Sequence, residues 1–424
     1  MLSTLRLHLL PREARGYLRV ALGYYLLATG LGLLLRTAFV TPLLSWLPFG
    51  KALHAHSHTL YFGWVGLAVF ALAFERLGPL GRSERWALGL IHGISLASFV
   101  AFLHGGYARP AIVVSSLSLG VWLFAAGRLA WRLRGQQGVG FSFLRVGLVY
   151  LGLAVLGALA RVGLLVAGLK DPRLGQLTVF AFLHCFAWFF VFGVIGLLVL
   201  HAPALGVRFA QGPLRRQLRW MGALAWLTFP LGVVGGGEGA LGWVARAAAL
   251  GLVYPGLLWV RALLRASRPA ERPVRAALRW VACWFLLKVL MEGAGGLGMA
   301  ELATRLRHPA ILFLHVLLLG VVSGGLLLPL LLQLGRWPLP GVHLHHGGLA
   351  LMSAGLALTS AVGAGWLPGG ALLVHAGLLL AAVGGGGIVL AGVRFAVGPR
   401  GRGKRVALLA PEGRGPALPS ADFA

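Results

Sequence analysis

The chain has 424 residues, of which 58% are hydrophobic and only 11% are charged, and its mean hydropathy is +0.84. This composition excludes an ordinary soluble domain, in which about 25% of residues are charged, and indicates an integral membrane protein. The formal net charge of +28 would suit a nucleic-acid partner, but its distribution along the chain indicates membrane topology instead.

Apolar stretches long enough to cross a hydrocarbon core of about 30 Å as a helix recur along most of the chain. We predict an all-α polytopic membrane helix bundle of twelve crossings over residues 1–397, beginning with an uncleaved helix rather than a signal peptide. Residues 398–424 are basic and rich in Gly and Pro, which predicts a disordered cytoplasmic tail. The predicted crossings are 18–40, 54–77, 86–106, 110–131, 143–168, 175–200, 218–236, 240–264, 274–299, 308–333, 343–366 and 370–396.

Lysine and arginine are distributed unevenly between the two sides of the predicted bundle. With both termini cytoplasmic, only nine of the 38 Lys and Arg residues fall in outer loops and the adjacent helix ends, and nearly all the others are cytoplasmic. This bias follows the positive-inside rule. It predicts a multi-pass protein of a bacterial-type inner membrane, in contact with membrane lipid and not with nucleic acid.

Histidines mark the outer entrance of the second crossing, where His54, His56 and His58 alternate along the chain. His54 and His58 share one helical face, whereas His56 points elsewhere. Because a polar side chain facing hydrocarbon is costly, histidines at this depth are expected to face the bundle interior. We therefore expect some of these imidazoles to have a function inside the bundle.

A histidine at similar depth recurs on crossings 2, 6 and 10, as His58, His184 and His315. The three are separated by similar intervals of about 130 residues, which suggests three repeats of four crossings in a pseudo-three-fold arrangement. We expect their side chains to converge on one interior space near the outer half of the bilayer.

Neutral imidazole is a preferred ligand of haem iron and of copper, so converging histidines suit one or more metal centres. His54 and His375 lie near the same outer level and are further candidate metal ligands. The chain has no Cys-x-x-Cys-His motif, which excludes covalent c-type haem attachment and favours haem of the b type. The alternative is that each histidine only forms a hydrogen bond to a neighbouring helix.

Residues 55–58 (AHSH) followed by residues 62–65 (FGWV) resemble the helix-2 segment of the haem–copper oxidase subunit I superfamily. The resemblance is strongest to the NnrS family, twelve-helix haem-containing membrane proteins linked to nitric oxide metabolism. It implies that His58 and His315 are axial haem ligands and that His184 lies on the copper side or binds a second haem. It also implies a role in nitric oxide or respiratory redox metabolism, with a protein or a quinone as electron donor.

The chain departs from the catalytic members of this superfamily at two helices. Crossing 7 lacks the paired histidine that completes a copper site, and crossing 10 has only His315 well inside it, with His308 at its mouth. A complete binuclear oxygen-reducing centre is therefore not expected. Whether the protein is an oxidoreductase related to oxygen or nitric oxide reductases stays open from the sequence.

Arginines near the level of the histidines are candidate anion ligands. Because guanidinium pairs with carboxylates in a bidentate manner, Arg161 and Arg246 are predicted to hold haem propionates. The alternative for each arginine is that it extends to lipid headgroups at the outer boundary.

One pair of opposite charges is predicted deep in the bundle. Lys288 and Glu292 are four residues apart in crossing 9, which predicts an internal ion pair. Apart from Glu292 the predicted crossings contain no clear buried carboxylate. This scarcity of titratable groups argues against the alternative function, a permease for a small solute or metal ion whose path is lined by histidines.

Overall fold

The computed structural model of the chain describes residues 12–233, 236–336, 339–368 and 370–397. Most of these residues are helical and none forms a β-strand, which confirms the all-α class. The predicted tail 398–424 lies outside the described residues. The main helices in chain order are α1 Arg12–Thr37, α2 Phe49–Arg76, α3 Arg82–Gly105, α4 Arg109–Arg132, α5 Val139–Val166, α6 Pro172–His201, α7 Gln211–Leu224, α8 Gly239–Ser267, α9 Arg272–Ala294, α10 His308–Gln333, α11 Leu339–Gly363 and α12 Ala371–Val397.

Within the described ranges, nine helices are long and apolar enough to cross a membrane, namely α1 to α6, α8, α10 and α12. Helices of this number and character indicate a multi-pass membrane protein whose outer helices contact lipid. The other three are less uniformly apolar: α7 passes into a 3-10 helix at Ala225–Gly232, α9 carries five charged residues, and α11 has three histidines near its start. The predicted count of twelve crossings therefore stays a prediction.

Helices α2, α6 and α10 form the centre of the bundle. Their most apolar stretches are 83%, 78% and 72% buried, whereas the other six membrane-length helices reach at most 44%. Because lipid tails are as apolar as a protein interior, burial rather than hydropathy distinguishes the inner helices from the outer ones. The three crossings on which the sequence places matched histidines are thus the inner helices.

Polar contacts join the three inner helices to each other. The indole Nε1 of Trp64 on α2 donates a hydrogen bond of 2.8 Å to Oγ of Ser323 on α10. At the far ends of the same helices, Glu75 on α2 lies 3.2 Å from Nε2 of His201 on α6. Gln333 on α10 donates to the other oxygen of Glu75 at 3.4 Å. These contacts fix the relative depth of α2, α6 and α10.

Two of the inner helices contain a π-helical segment directly after a histidine. In α2 the segment Thr59–Gly66 follows His58, and in α10 the segment Val316–Ser323 follows His315. A π-helical turn inserts an extra residue into the helix, and such turns occur frequently at functional sites. In both α2 and α10 the backbone thus changes from α-helical to π-helical directly after the histidine.

A similar aromatic contact recurs three times along the chain. The hydroxyl of Tyr24 on α1 lies 2.8 Å from Nδ1 of His92 on α3. Tyr150 on α5 donates to a backbone carbonyl of α7 at 2.9 Å, and Trp284 on α9 donates to Nδ1 of His346 on α11 at 3.0 Å. Each of these hydrogen bonds joins one helix to the helix two further along the chain.

Candidate functional site

A partly open cavity lies between α1, α2, α10, α11 and α12. Its wall is mostly apolar, and its polar side chains include Arg36, His56 and His315. We call it the His56–His315 cavity. Cofactor sites are typically concave, mostly apolar and equipped with a few polar groups that orient the ligand, which describes this cavity.

The two histidines of this cavity are held in the same way. Nδ1 of His56 donates to the carbonyl of Ala28 at 2.8 Å, and Nδ1 of His315 donates to the carbonyl of Ile311 at 2.7 Å. Since a carbonyl only accepts, Nδ1 carries the proton and Nε2 keeps its lone pair. Metal-bound histidines are characteristically oriented by such a bond from the second ring nitrogen. Both rings therefore present a nitrogen suited to binding a metal.

Arg36 contributes the positive charge of the His56–His315 cavity. It lies in the last turn of α1, where a cation interacts favourably with the helix dipole. In the part of the chain that the structure describes, the Asp and Glu side chains that form ion pairs do so with other residues. A guanidinium without a carboxylate partner in an apolar cavity is suited to bind the anionic group of a ligand.

His58 lies on the opposite side of α2 from His56, since residues two apart in a helix point about 200° apart. Its Nδ1 donates to the carbonyl of His54 at 2.9 Å, and its ring stacks on Phe102 with 3.9 Å between centroids. It lines a second, partly open cavity between α2, α4, α5 and α6, which we call the His58 cavity. His58 and His315 thus line different cavities.

His184 lies in a third environment, between α6 and the 3-10 helix that follows α7. Its Nε2 donates to the carbonyl of Ala225 at 2.7 Å and lies 3.1 Å from the hydroxyl of Thr228. The ammonium of Lys288 lies 4.2 Å from the ring centre of Trp188, one turn further along α6. His184 lines neither the His56–His315 cavity nor the His58 cavity. This separation corrects the expectation that the rings of His58, His184 and His315 converge.

The two arginines predicted to hold propionates lie apart from each other. Arg161 lines the His58 cavity and packs over Gly175 of α6. Arg246 donates to Glu301 at 3.1 Å, and this ion pair already neutralises its charge. Arg246 lines neither cavity.

The two remaining candidate metal ligands also lie outside the His56–His315 cavity. His54 packs edge-on against Tyr107, with 4.3 Å between ring centres. His375 is exposed near the start of α12. Across residues 12–233, 236–336, 339–368 and 370–397, no group of three or more His, Cys, Asp or Glu side chains is arranged to hold a metal ion. Copper therefore gains no support from the described residues.

The predicted internal ion pair is confirmed. Nζ of Lys288 donates to Glu292 at 2.6 Å, and the lysine side chain is almost fully buried. Its ammonium lies over the face of Trp188, a favourable cation–π geometry. The pair and the ring together compensate the burial of two charges, which is a structural role.

The sequence alone does not single out His56 or Arg36. The alternation of His56 and His58 predicts two opposite faces, but only the rotation of α2 in the bundle decides which face meets α10. Arg36 is one of several arginines near the predicted outer boundary, and its signal in the sequence is that no acidic residue lies near it in the chain.

Comparison of the sequence with protein-family models and with curated proteins finds no match.

Proposed function

We propose that the protein binds b-type haem in the His56–His315 cavity, where His56 and His315 would hold the iron. The observation that carries this proposal is the pair of imidazoles from α2 and α10 that line one cavity with their Nδ1 atoms bonded to backbone carbonyls. The sequence resemblance at residues 55–65 supports the same helices but favours His58. The cavity favours His56 instead.

The residues of the cavity fit the group. Leucine, phenylalanine and isoleucine side chains provide the apolar wall that the faces of a tetrapyrrole need. Arg36 is placed to pair with a propionate. When bound, haem supplies one-electron redox chemistry, and the protein tunes it through its axial ligands and the polarity of the cavity.

Held by both His56 and His315, the haem would accept and donate single electrons. We therefore propose electron transfer or redox sensing in respiratory or nitric oxide metabolism rather than reduction of a gas at this centre. The proposal needs no copper site.

The proposed architecture is a twelve-crossing bundle of three four-helix units, with both termini cytoplasmic. The three inner helices α2, α6 and α10 would be the second helix of each unit. The repeated contacts of Tyr24, Tyr150 and Trp284 support this division, since each would join the first helix of a unit to the third. The distribution of Lys and Arg supports the orientation.

The optical spectrum and iron content of the purified full chain test the cofactor. We expect about one haem for each chain and the Soret and α bands of a low-spin b-type haem. Colourless protein without iron, purified from cells supplied with haem, would contradict the proposal and favour a permease.

A further inference from the structure

The His58 cavity, on the other side of α2 from the proposed haem, opens sideways towards the bilayer. Among the side chains that line it, Ile112 on α4, Val162 on α5 and Val179 on α6 are also exposed on the outside of the bundle. These three helices are all long and apolar enough to cross a membrane. Exposed apolar side chains on such helices face lipid. A ligand of this cavity therefore enters from the membrane.

The wall of the His58 cavity is about as long as one leaflet is thick. On α4 the lining residues run from Ile112 to Trp122, and on α5 they run from Leu151 to Val162. At a rise of about 1.5 Å per residue, each of these runs spans about 15 Å. This is half of the hydrocarbon thickness of about 30 Å. The cavity thus matches an acyl chain of a single leaflet in length.

Below its outer end the wall of the His58 cavity is apolar. Its lining side chains there include Leu119, Leu151, Val155, Phe182 and Phe186. The hydroxyls of Ser115, Ser116 and Thr178 also lie in the wall, but each donates to a carbonyl of its own helix. Because these donors are already bonded, the wall does not require a polar ligand at this depth. It suits an aliphatic chain.

Four cations lie at the end of the bundle where α4 begins, α5 ends and α6 begins. They are Arg109, Arg161, Lys170 and Arg173. This is the side predicted to be outer, so the positive-inside rule does not account for them. Asp171 is the only acidic residue in the sequence between Glu84 and Glu238, and its carboxylate accepts from two backbone N–H groups at the start of α6. The positive charge here favours an anionic ligand.

Other cations on the same predicted side already have partners in the protein. Lys51 donates to the carbonyl of His104 at 2.8 Å. Arg246 and Arg305 both pair with Glu301, at 3.1 and 3.8 Å. The cations around the His58 cavity therefore differ from these in what they contact.

Arg161 is the cation that lines the His58 cavity itself. Within the described ranges it forms no ion pair with a carboxylate. Its guanidinium packs against Gly175 in α6, where a Cβ atom would lie 2.6 Å from Nη1. Arg161 is thus positioned at the outer end of the cavity by the absence of a side chain on α6, and its charge is left for a ligand.

We propose that the His58 cavity binds one anionic glycerophospholipid, with an acyl chain along the wall and the phosphate on Arg161. A guanidinium group binds phosphate oxygens in a bidentate manner. Arg109, Lys170 and Arg173 add the positive charge that favours an anionic headgroup over a zwitterionic one. The inference needs only that α4, α5 and α6 cross the membrane, and it does not depend on haem being bound.

Native mass spectrometry of the detergent-solubilised full chain, titrated with dioleoyl phosphatidylglycerol, tests the site. We expect one molecule to bind more tightly than all further ones, and dioleoyl phosphatidylcholine to bind more weakly. Glycerol 3-phosphate, which has the phosphate but no acyl chain, should not compete. Arg161→Gln should weaken binding of the first molecule by about tenfold or more, the effect of a charged hydrogen bond. The control Arg305→Gln removes a charge on the same predicted side but outside the cavity, and it should bind like the native chain.

Two tryptophan substitutions on α4 separate the cavity from a general attraction of lipid to positive charge. Leu119 lines the cavity, whereas Leu117 is exposed and outside it. Leu119→Trp fills the cavity with every charge in place, so it should weaken binding of the first molecule by at least tenfold. Leu117→Trp should bind like the native chain. Gly175→Ala displaces the Arg161 guanidinium without removing its charge, so it should give a smaller loss than Arg161→Gln.

Several results would overturn the inference. These are the absence of a preferred first phosphatidylglycerol, equally tight binding of phosphatidylcholine, competition by glycerol 3-phosphate, equal affinity in Arg161→Gln and Arg305→Gln, and native affinity in Leu119→Trp. A second haem per chain that is lost in His58→Ala would also overturn it, since haem would then occupy the cavity. A normal haem spectrum without a preferred phospholipid defeats this inference alone. Phospholipid binding by colourless protein defeats the haem proposal alone.

Discussion

At the scale of single residues, the position of the His56 ring depends on a glycine of the neighbouring helix. A Cβ atom on Gly32 would lie 2.8 Å from Cε1 of His56, closer than real Cβ contacts allow. Gly32 therefore leaves room for the imidazole beside α1 while its Nδ1 donates to Ala28. Gly32 matters here because it has no side chain, not because of an unusual backbone conformation, since its own backbone is helical.

Gly32→Ala should displace the His56 ring and weaken haem retention by about tenfold, the usual result of disturbing the support of a metal ligand. The ratio of haem to protein after gel filtration measures this. Gly30→Ala is the matched control, because nothing lies within 4 Å of a Cβ at that position on the same helix. Equal haem loss in both variants, or in neither, would contradict the role given to Gly32.

Arg36 should contribute to haem affinity through one charged hydrogen-bonded pair. Arg36→Gln should raise the dissociation rate of haem, measured by transfer to apomyoglobin, by about ten- to a hundredfold. Arg36→Lys should recover part of the loss, because a point charge replaces the bidentate group. Arg109→Gln, at an exposed arginine, should leave the rate unchanged, and an effect as large as that of Arg36→Gln would disprove the propionate contact.

At the scale of helices, the inner helices are held by a few buried polar contacts within an apolar core. The Trp64–Ser323 bond joins α2 to α10 within the π-helical segments that follow His58 and His315. It therefore supports the two helices that carry the proposed ligands. An unpaired indole N–H at this depth has no water to replace the serine.

Ser323→Ala should leave the Trp64 N–H unpaired and lower the free energy of unfolding by about 1–3 kcal/mol. Thermal unfolding in detergent, followed by circular dichroism, measures the change. Ser353→Ala is the control: this serine is also buried, but its hydroxyl has no partner, so its removal should not destabilise the protein. A larger loss in Ser353→Ala than in Ser323→Ala would show that the Trp64 bond contributes little.

Helix class and the Lys288–Glu292 pair were predictable from the sequence because they depend on hydrophobic length and on spacing within one helix. The pairing of His56 with His315 was not, since it depends on how far α2 is rotated about its axis relative to α10. The π-helical segments after His58 and His315 alter that rotation, and hydrophobic periodicity does not reveal them. The role of Arg36 was not predictable either, because its lack of a carboxylate partner depends on how the helices pack.

At the scale of the whole molecule, the number of crossings decides on which side of the membrane each loop lies. If α7, α9 and α11 cross, the loop between α11 and α12 is outside. If only the nine long apolar helices cross, the same loop is inside. The loop between α4 and α5 is cytoplasmic in both cases, provided that the N-terminus is cytoplasmic.

Single cysteines therefore test the twelve-crossing topology. In a background of Cys185→Ala and Cys283→Ala, we expect a membrane-impermeant maleimide to label Leu367→Cys in intact cells and to label Gln137→Cys only after lysis. Both positions are exposed in loops of the structure. If Leu367→Cys is not labelled in intact cells, the twelve-crossing bundle is contradicted. The assignment of α2, α6 and α10 as the second helices of three units would then have to be revised.

Electron paramagnetic resonance of the oxidised protein tests most directly whether one iron is held between His56 and His315. The native chain should give the low-spin signal of bis-imidazole haem. His56→Ala and His315→Ala should each convert it to a high-spin signal or abolish it, whereas His58→Ala should leave it unchanged. A low-spin signal that survives His56→Ala but is lost in His58→Ala would contradict the account, because the iron would then lie on the other face of α2.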